Sequence, residues 1–209
     1  MALSEEQILR YSRQILLKEV GGVGQERLRD NGAALTGTGS AQLTAAAYLG
    51  AGGSALGFSN RKAQAGEEGF LLSAADVGQP LREPLSAALE DVNPDALEPG
   101  EGQQGRVGEL PASFGGPPPW VVIGWSGRKA GVVFRSEDGC GACFVENGGQ
   151  MSKLSHPGAS SVMAGAVAAL AYQRMVLGIS PPLGGVWVEE DGTLTPFELR
   201  KCQSCQAKG

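Results

Sequence analysis

Ala33-Ala34-Leu35-Thr36-Gly37-Thr38-Gly39-Ser40-Ala41-Gln42-Leu43 is the stretch that decides the fold. A brief apolar run meets a turn carrying two glycines one residue apart. An apolar helical segment follows over 43–49 and is closed by Gly50, Gly52 and Gly53. Strand, glycine turn and helix in that order open a Rossmann-like βαβ unit, in which backbone N–H groups at the helix start are free to face an anion.

Outward from this unit the chain reads as one α/β domain. Towards the N-terminus, residues 4–18 predict an amphipathic helix: Ser4 can cap it, Gln7 completes a capping box, and Ile8, Leu9, Ile15 and Leu16 recur on one side. A loop with Gly21, Gly22 and Gly24 comes next, then a helical turn over 25–30. Towards the C-terminus, strands are expected at 55–58, 106–110, 120–123, 131–135, 186–190 and 193–199, the last two joined by the Asp191-Gly192 turn. Helices are expected at 82–91, ending before Asn93-Pro94, and at 159–177. The fold class expected is a Rossmann-like, mainly parallel sheet flanked by helices, with C-terminal antiparallel strands. One domain spans 1–209, with an N-terminal helical segment at 1–30, a truncated Rossmann-like core at 31–135 and a cysteine-bearing part at 136–209.

Composition removes several function classes. The 209 residues are 42% apolar, enough for a core, and the formal charge of -5 lacks the basic footprint that nucleic acid requires. The most apolar stretch, 162–172, is far shorter than the roughly 20 residues a spanning helix needs. Glu5 and Glu6 precede any apolar run, so a secretory leader is not expected, and a cytoplasmic protein is. The single histidine, His156, excludes a His-based triad or a multi-His metal site within one chain. Glycine is in excess at 33 residues, yet without a Gly-X-Y period.

All four cysteines fall into two C-x-x-C pairs, Cys140-Gly141-Ala142-Cys143 and Cys202-Gln203-Ser204-Cys205. Two such knuckles supply the four thiolates that structural zinc takes in tetrahedral geometry, with no position left open for catalysis. The metal would clip the C-terminal tail onto the body. A redox dithiol and a pair of disulfides are the alternatives.

Arg10-Tyr11-Ser12-Arg13-Gln14-Ile15, then Gly21-Gly22-Val23-Gly24-Gln25-Glu26-Arg27-Leu28, the glycine turn, Asp76-Val77-Gly78-Gln79-Pro80, Val92-Asn93-Pro94-Asp95 and the paired knuckles follow one another in an order that resembles the ThiF/MoeB/HesA family, the ubiquitin-activating-enzyme-like adenylyltransferases. The resemblance implies ATP and Mg²⁺ binding, adenylation of the C-terminal carboxylate of a ubiquitin-like or sulfur-carrier protein, and dimerisation through the N-terminal segment. It also implies that Arg13 reaches the partner's ATP phosphates, with Arg10 in support; the plainer reading of both arginines is solvated charge or local ion pairs.

The same resemblance marks losses. Of the family's glycine loop only Gly37 and Gly39 remain, with Ser40 and Gln42 in the other two places. Gly57 and Ser59 stand where an acidic pair holds the ribose. The family's S-N-L-x-R-Q segment falls on 64–69, which puts Ala65 at the Asn, Glu68 at the Arg and Gly69 at the Gln. Leu81 replaces a lysine, with Arg82 beside it, and Gly124-Trp125-Ser126-Gly127 offers no magnesium carboxylate. Length is missing between 123 and 131, and Asp91 and Asp95 read as surface acids.

The expectation is a zinc-binding, catalytically degenerate member that does not use ATP or Mg²⁺. It would have a vestigial nucleotide site at Gly37, Gly39, Gln42 and Arg82, and a metal site at Cys140, Cys143, Cys202 and Cys205. It would act as a homodimer, or as a heterodimer with an intact homologue, or bind a ubiquitin-like or sulfur-carrier protein. The alternatives are an active, divergent adenylyltransferase using Arg82, Arg61 or Lys62, and a fold recruited to another small ligand.

Overall fold

The computed structural model describes residues 2–37, 39–58, 61–69, 71–97, 105–109, 118–126, 128–136, 140–148, 151, 158–179 and 183–206. His156, Ser59, Leu110 and Gly127 lie outside them.

Among the described residues seven strands form one sheet: β1 (Ala33–Thr36), β2 (Leu56–Phe58), β3 (Gly105–Glu109), β4 (Trp120–Ser126), β5 (Lys129–Arg135), β6 (Leu183–Val188) and β7 (Leu194–Pro196), in the order β2-β1-β3-β4-β5-β6-β7. The pairings of β1 with β2, β1 with β3 and β3 with β4 are parallel. Those of β4 with β5, β5 with β6 and β6 with β7 are antiparallel. The sheet is therefore a parallel nucleotide-fold half joined at β4 to an antiparallel meander.

The helices are α1 (Glu5–Arg10), α2 (Ser12–Ile15), α3 (Gly21–Asp30), α4 (Ser40–Ala51), α5 (Arg82–Val92), α6 (Gly141–Gly148), α7 (Ala159–Val176) and α8 (Gln203–Gln206). The core cluster is built from α4 and α7 against the sheet face carrying Leu35, Val107, Val121, Ile123 and Val132. From Ala41 to Ala47 every residue of α4 is buried. The close fit between α4 and α7 depends on Gly165, where a Cβ would lie 2.2 Å from the carbonyl oxygen of Ala41. A smaller cluster of Val122, Val133, Phe144 and Met151 sits on the opposite face under α6 and is joined by Phe197 and Leu199 of the tail.

Three expectations are corrected. The helix over 4–18 is two helices, α1 and α2, that break at Tyr11, whose side chain is fully buried. Its hydroxyl donates to Asp95 Oδ2 at 3.0 Å and accepts from Asn93 Nδ2 at 2.8 Å, so tertiary hydrogen bonding overrides the surface pattern. Gly21, Gly22 and Gly24 open α3 instead of forming a loop. At Gly24 a Cβ would meet a terminal methyl of Leu177 at 2.8 Å, so a larger residue there would displace that side chain. Lastly, β4 runs on through Gly124 and Trp125 to Ser126, and a tight hairpin returns as β5. That hairpin accounts for the missing length between 123 and 131.

Asp95 is not a free surface acid. It takes Arg10 Nη1 at 2.5 Å as well as Tyr11, and its N–H donates to Asn93 Oδ1 at 3.2 Å. Asn93, fully buried, also donates to the Gly50 carbonyl at 2.7 Å and so ties α1 to the end of α4. Asn93→Ala removes donor and acceptor together, at a cost of about 2 kcal/mol for buried groups left unpaired. The expected drop in melting temperature is about 5 °C for a chain of this size; a melting curve that superimposes on the wild type would refute the role.

Candidate functional sites: the glycine turn and the cysteine cluster

The turn between β1 and α4 carries two glycines with positive φ. Gly37 and Gly39 have φ of 110° and 93°, a region that side-chain-bearing residues rarely occupy, and Gly39 caps the first turn of α4 without a side-chain cap of its own. Its N–H points out of the helix start towards an anion, and the anion is Glu67. The Glu67 Oε1 atom accepts from Gly39 N at 2.7 Å and from Arg61 Nη2 at 2.7 Å. Its Oε2 atom accepts from Gln64 N at 2.7 Å and from Arg61 Nη1 at 2.8 Å.

Arg61 is positioned by backbone pairing. Ala63 N–H donates to Gln79, Gly78 N–H to Ala63 and Leu81 N–H to Arg61, so the 61–63 and 78–81 segments run side by side. Its remaining guanidinium donors go to the Gly37 carbonyl at 2.9 Å, the Lys62 carbonyl at 3.0 Å and Gln42 Oε1 at 2.9 Å. All five N–H donors of an arginine are thereby used. Glu67 is 4% exposed. Burial alone would raise its carboxyl, but Arg61 and the N–H groups of Gly39 and Gln64 hold it below the usual carboxylate range, so it is an anion at neutral pH.

Among the sequence-predicted residues, Gly37, Gly39 and Gln42 come together here; Gln42 is 2% exposed, and its Nε2 has no hydrogen-bond partner among the described residues. Arg82 is exposed on the first turn of α5 and Leu81 is fully buried. Arg13 is exposed on α2, whereas Arg10 is engaged with Asp95. The acid at the turn is Glu67. Glu68, to which the family pattern assigns the lost arginine's place, is exposed and accepts only from Gly66 N among the described residues. Sequence reasoning missed Glu67 because a carboxylate next to a second carboxylate carries no spacing signal. The usable hint was Arg61, a lone arginine shortly before it.

The second site assembles Cys140 and Cys143, at the start of α6, with Cys202 and Cys205 around α8. All are free thiols, and their sulfurs lie within 4.8 Å of one another. Cys140 and Cys202 sulfurs are 3.7 Å apart, and Cys202 N–H donates to Cys143 Sγ at 3.2 Å. Zinc–sulfur bonds of about 2.3 Å in a tetrahedron require sulfurs about 3.8 Å apart, so the cluster fits that metal. The Cys140 thiol is lowered to about 6, first by the Cys143 backbone N–H, while Cys205 is pushed up to about 12 by hydrogen bonding to Cys140. Asn147 of α6 clamps the adjoining tail by donating to the Arg200 carbonyl at 3.0 Å and accepting from Arg200 N at 2.8 Å.

No protein-family profile matches the chain. The molybdopterin-synthase adenylyltransferase of Escherichia coli (strain K12) is 35% identical over 96 residues, 44% of this chain and 39% of that protein. Its counterpart in Haemophilus influenzae is 35% identical over 96 residues, covering 44% and 40%. The match thus spans about two-fifths of the curated relatives. Among solved structures, PaaA superposes with a TM-score of 0.72 at 18% identity over 96% of this chain and 76% of that one. Escherichia coli MccB, crystallised with ATP, gives 0.65 at 14% over 94% and 73%. The motif order, the partial sequence match and the shared fold agree: the chain is similar to the adenylyltransferases of the ThiF/MoeB/HesA family, over part of their length in sequence and over nearly all of this chain in fold.

Proposed function

We propose that this chain is a catalytically silent member of the family, a zinc-stabilised subunit or scaffold that dimerises or holds a ubiquitin-like or sulfur-carrier partner. One observation carries the reading: the Glu67 carboxylate fills the anion-facing end of the glycine turn and takes up Arg61 with it. A triphosphate there would meet a buried negative charge and an arginine with no donor left. At the end of β4, Trp125 is packed in the core and Ser126 is the exposed residue, so no magnesium carboxylate follows among the described residues.

The partner surface is proposed at the N-terminal helices. Leu9, Leu16, Leu17 and Val23 are 77%, 84%, 54% and 68% exposed. Beside them a groove of about 450 Å³ is lined by residues including Val20, Tyr48, Leu170 and Ile179. Exposed leucines at this density favour association. Arg13 lies on the same segment and is free to reach a companion subunit. The thiol chemistry and the absence of any helix long and apolar enough to cross a membrane among the described residues fit a cytoplasmic scaffold.

The test is calorimetric titration of the zinc-loaded protein with ATP and Mg²⁺, together with pyrophosphate exchange in the presence of a ubiquitin-like protein. No binding and no exchange are expected. Micromolar binding with exchange would overturn the reading, and abolition of that exchange by Arg82→Ala would establish the active alternative.

A further inference from the structure

Glu67 is the only buried residue in the 64–69 segment; its five neighbours are exposed. No apolar side chain within the segment anchors it, and a Cβ at Gly66 or Gly69 would meet nothing within 4 Å. The carboxylate enters from an exposed loop and is met on every acceptor position by a donor: two backbone N–H groups and a bidentate guanidinium. That donor set is how proteins bind a separate oxyanion. Beside it, Gln42 is buried with its Nε2 unpartnered among the described residues, while its Oε1 holds Arg61.

We infer that Gly39, Arg61, Gln64 and Gln42 form an oxyanion receptor in which Glu67 is a tethered ligand, and that a free oxyanion takes the position when the Glu67 carboxylate is withdrawn. The inference rests on the chain not holding ATP at this turn. The ligand class is a small carboxylate or a phosphate. A carboxylate reproduces the four contacts of Glu67, whereas a phosphate adds an oxygen for Gln42 Nε2.

The experiment is rescue of Glu67→Ala. This variant is expected to melt about 10 °C below the wild type, since an arginine whose side chain is only 17% exposed loses its counter-charge. Acetate or formate, raised to about 100 mM against equal chloride, should return at least half of that loss with a saturating dose curve. The wild type and the Glu67→Ala/Arg61→Ala double variant should not respond beyond chloride. Phosphate outperforming acetate would identify Gln42 as a donor to the ligand, and Gln42→Leu should then remove the phosphate advantage.

If Glu67→Ala is insoluble, refolding it in acetate and in chloride gives the same answer: recovery in acetate alone supports the receptor, and failure in both overturns it. Equal response of the folded variant to acetate and chloride also overturns it. Pyrophosphate exchange by the wild type would instead defeat the silent-subunit reading, and the rescue result would stand separately.

Discussion

Cys202→Ser should abolish zinc binding and lower the melting temperature by more than about 10 °C, the largest single-residue effect expected in this chain. The size follows from what the cluster holds in place. On the face opposite α4 and α7, the described residues that cover the antiparallel half of the sheet are α6, Met151 and the tail residues Phe197 and Leu199. Phe197 stacks on Trp187 with ring centroids 4.9 Å apart, and Asn147 fixes the backbone of Arg200. A metal that ties Cys202 and Cys205 to the start of α6 would therefore contribute its binding energy directly to folding. Elemental analysis should find one zinc per chain in the wild type and none in the variant, with faster proteolysis after Phe197. A zinc-free wild type, or a variant with an unaltered melt, would refute the structural metal. Because zinc displaces thiol protons, acid should release it.

Arg61→Met is expected to cost about 3 kcal/mol, or about 10 °C in melting temperature, because it strands a carboxylate that is 4% exposed. Breaking a buried pair by removing one partner costs more than the pair is worth, since desolvation of the survivor is no longer offset. The pH dependence gives the sign. In the wild type the folded Glu67 carboxyl lies below its ordinary value, so its stabilisation is complete above that value and is lost as pH falls through the folded pKa. In Arg61→Met the carboxyl rises, and the variant escapes part of its penalty by protonating. The gap between the two melting temperatures should therefore be widest near neutral pH and shrink towards pH of about 4. A gap that is constant with pH would mean that Arg61 contributes packing only.

Local order was legible in the sequence where one chain segment carries the whole signal. β1, the glycine turn and α4 appear in sequence order, and the cysteine spacing foretold a cluster that the fold does assemble. What stayed hidden depends on contacts between distant segments. Tyr11 looks like part of a surface helix until Asn93 and Asp95, more than eighty positions away, turn it inward. The placement of Glu67 depends on the 61–63 and 78–81 backbones lying side by side, which no periodicity announces. α6 was not foreseen because Cys140-Gly141-Ala142-Cys143 reads as a knuckle, while its helical face is defined by Phe144 and Asn147, each of which meets a different part of the tertiary structure.

The burial of α4 on all sides from Ala41 to Ala47 bears on how the molecule comes apart. Two successive turns with no solvent-facing side cannot be solvated as a helix, so the 41–47 stretch of α4 has no half-detached state in which it remains folded beside its neighbours. Since Gly165 sets α7 directly against it, loosening one helix uncovers the other along its small-residue face. The parallel half therefore opens as one cooperative unit, and the first state beyond the native one exposes an alanine- and leucine-rich surface suited to self-association.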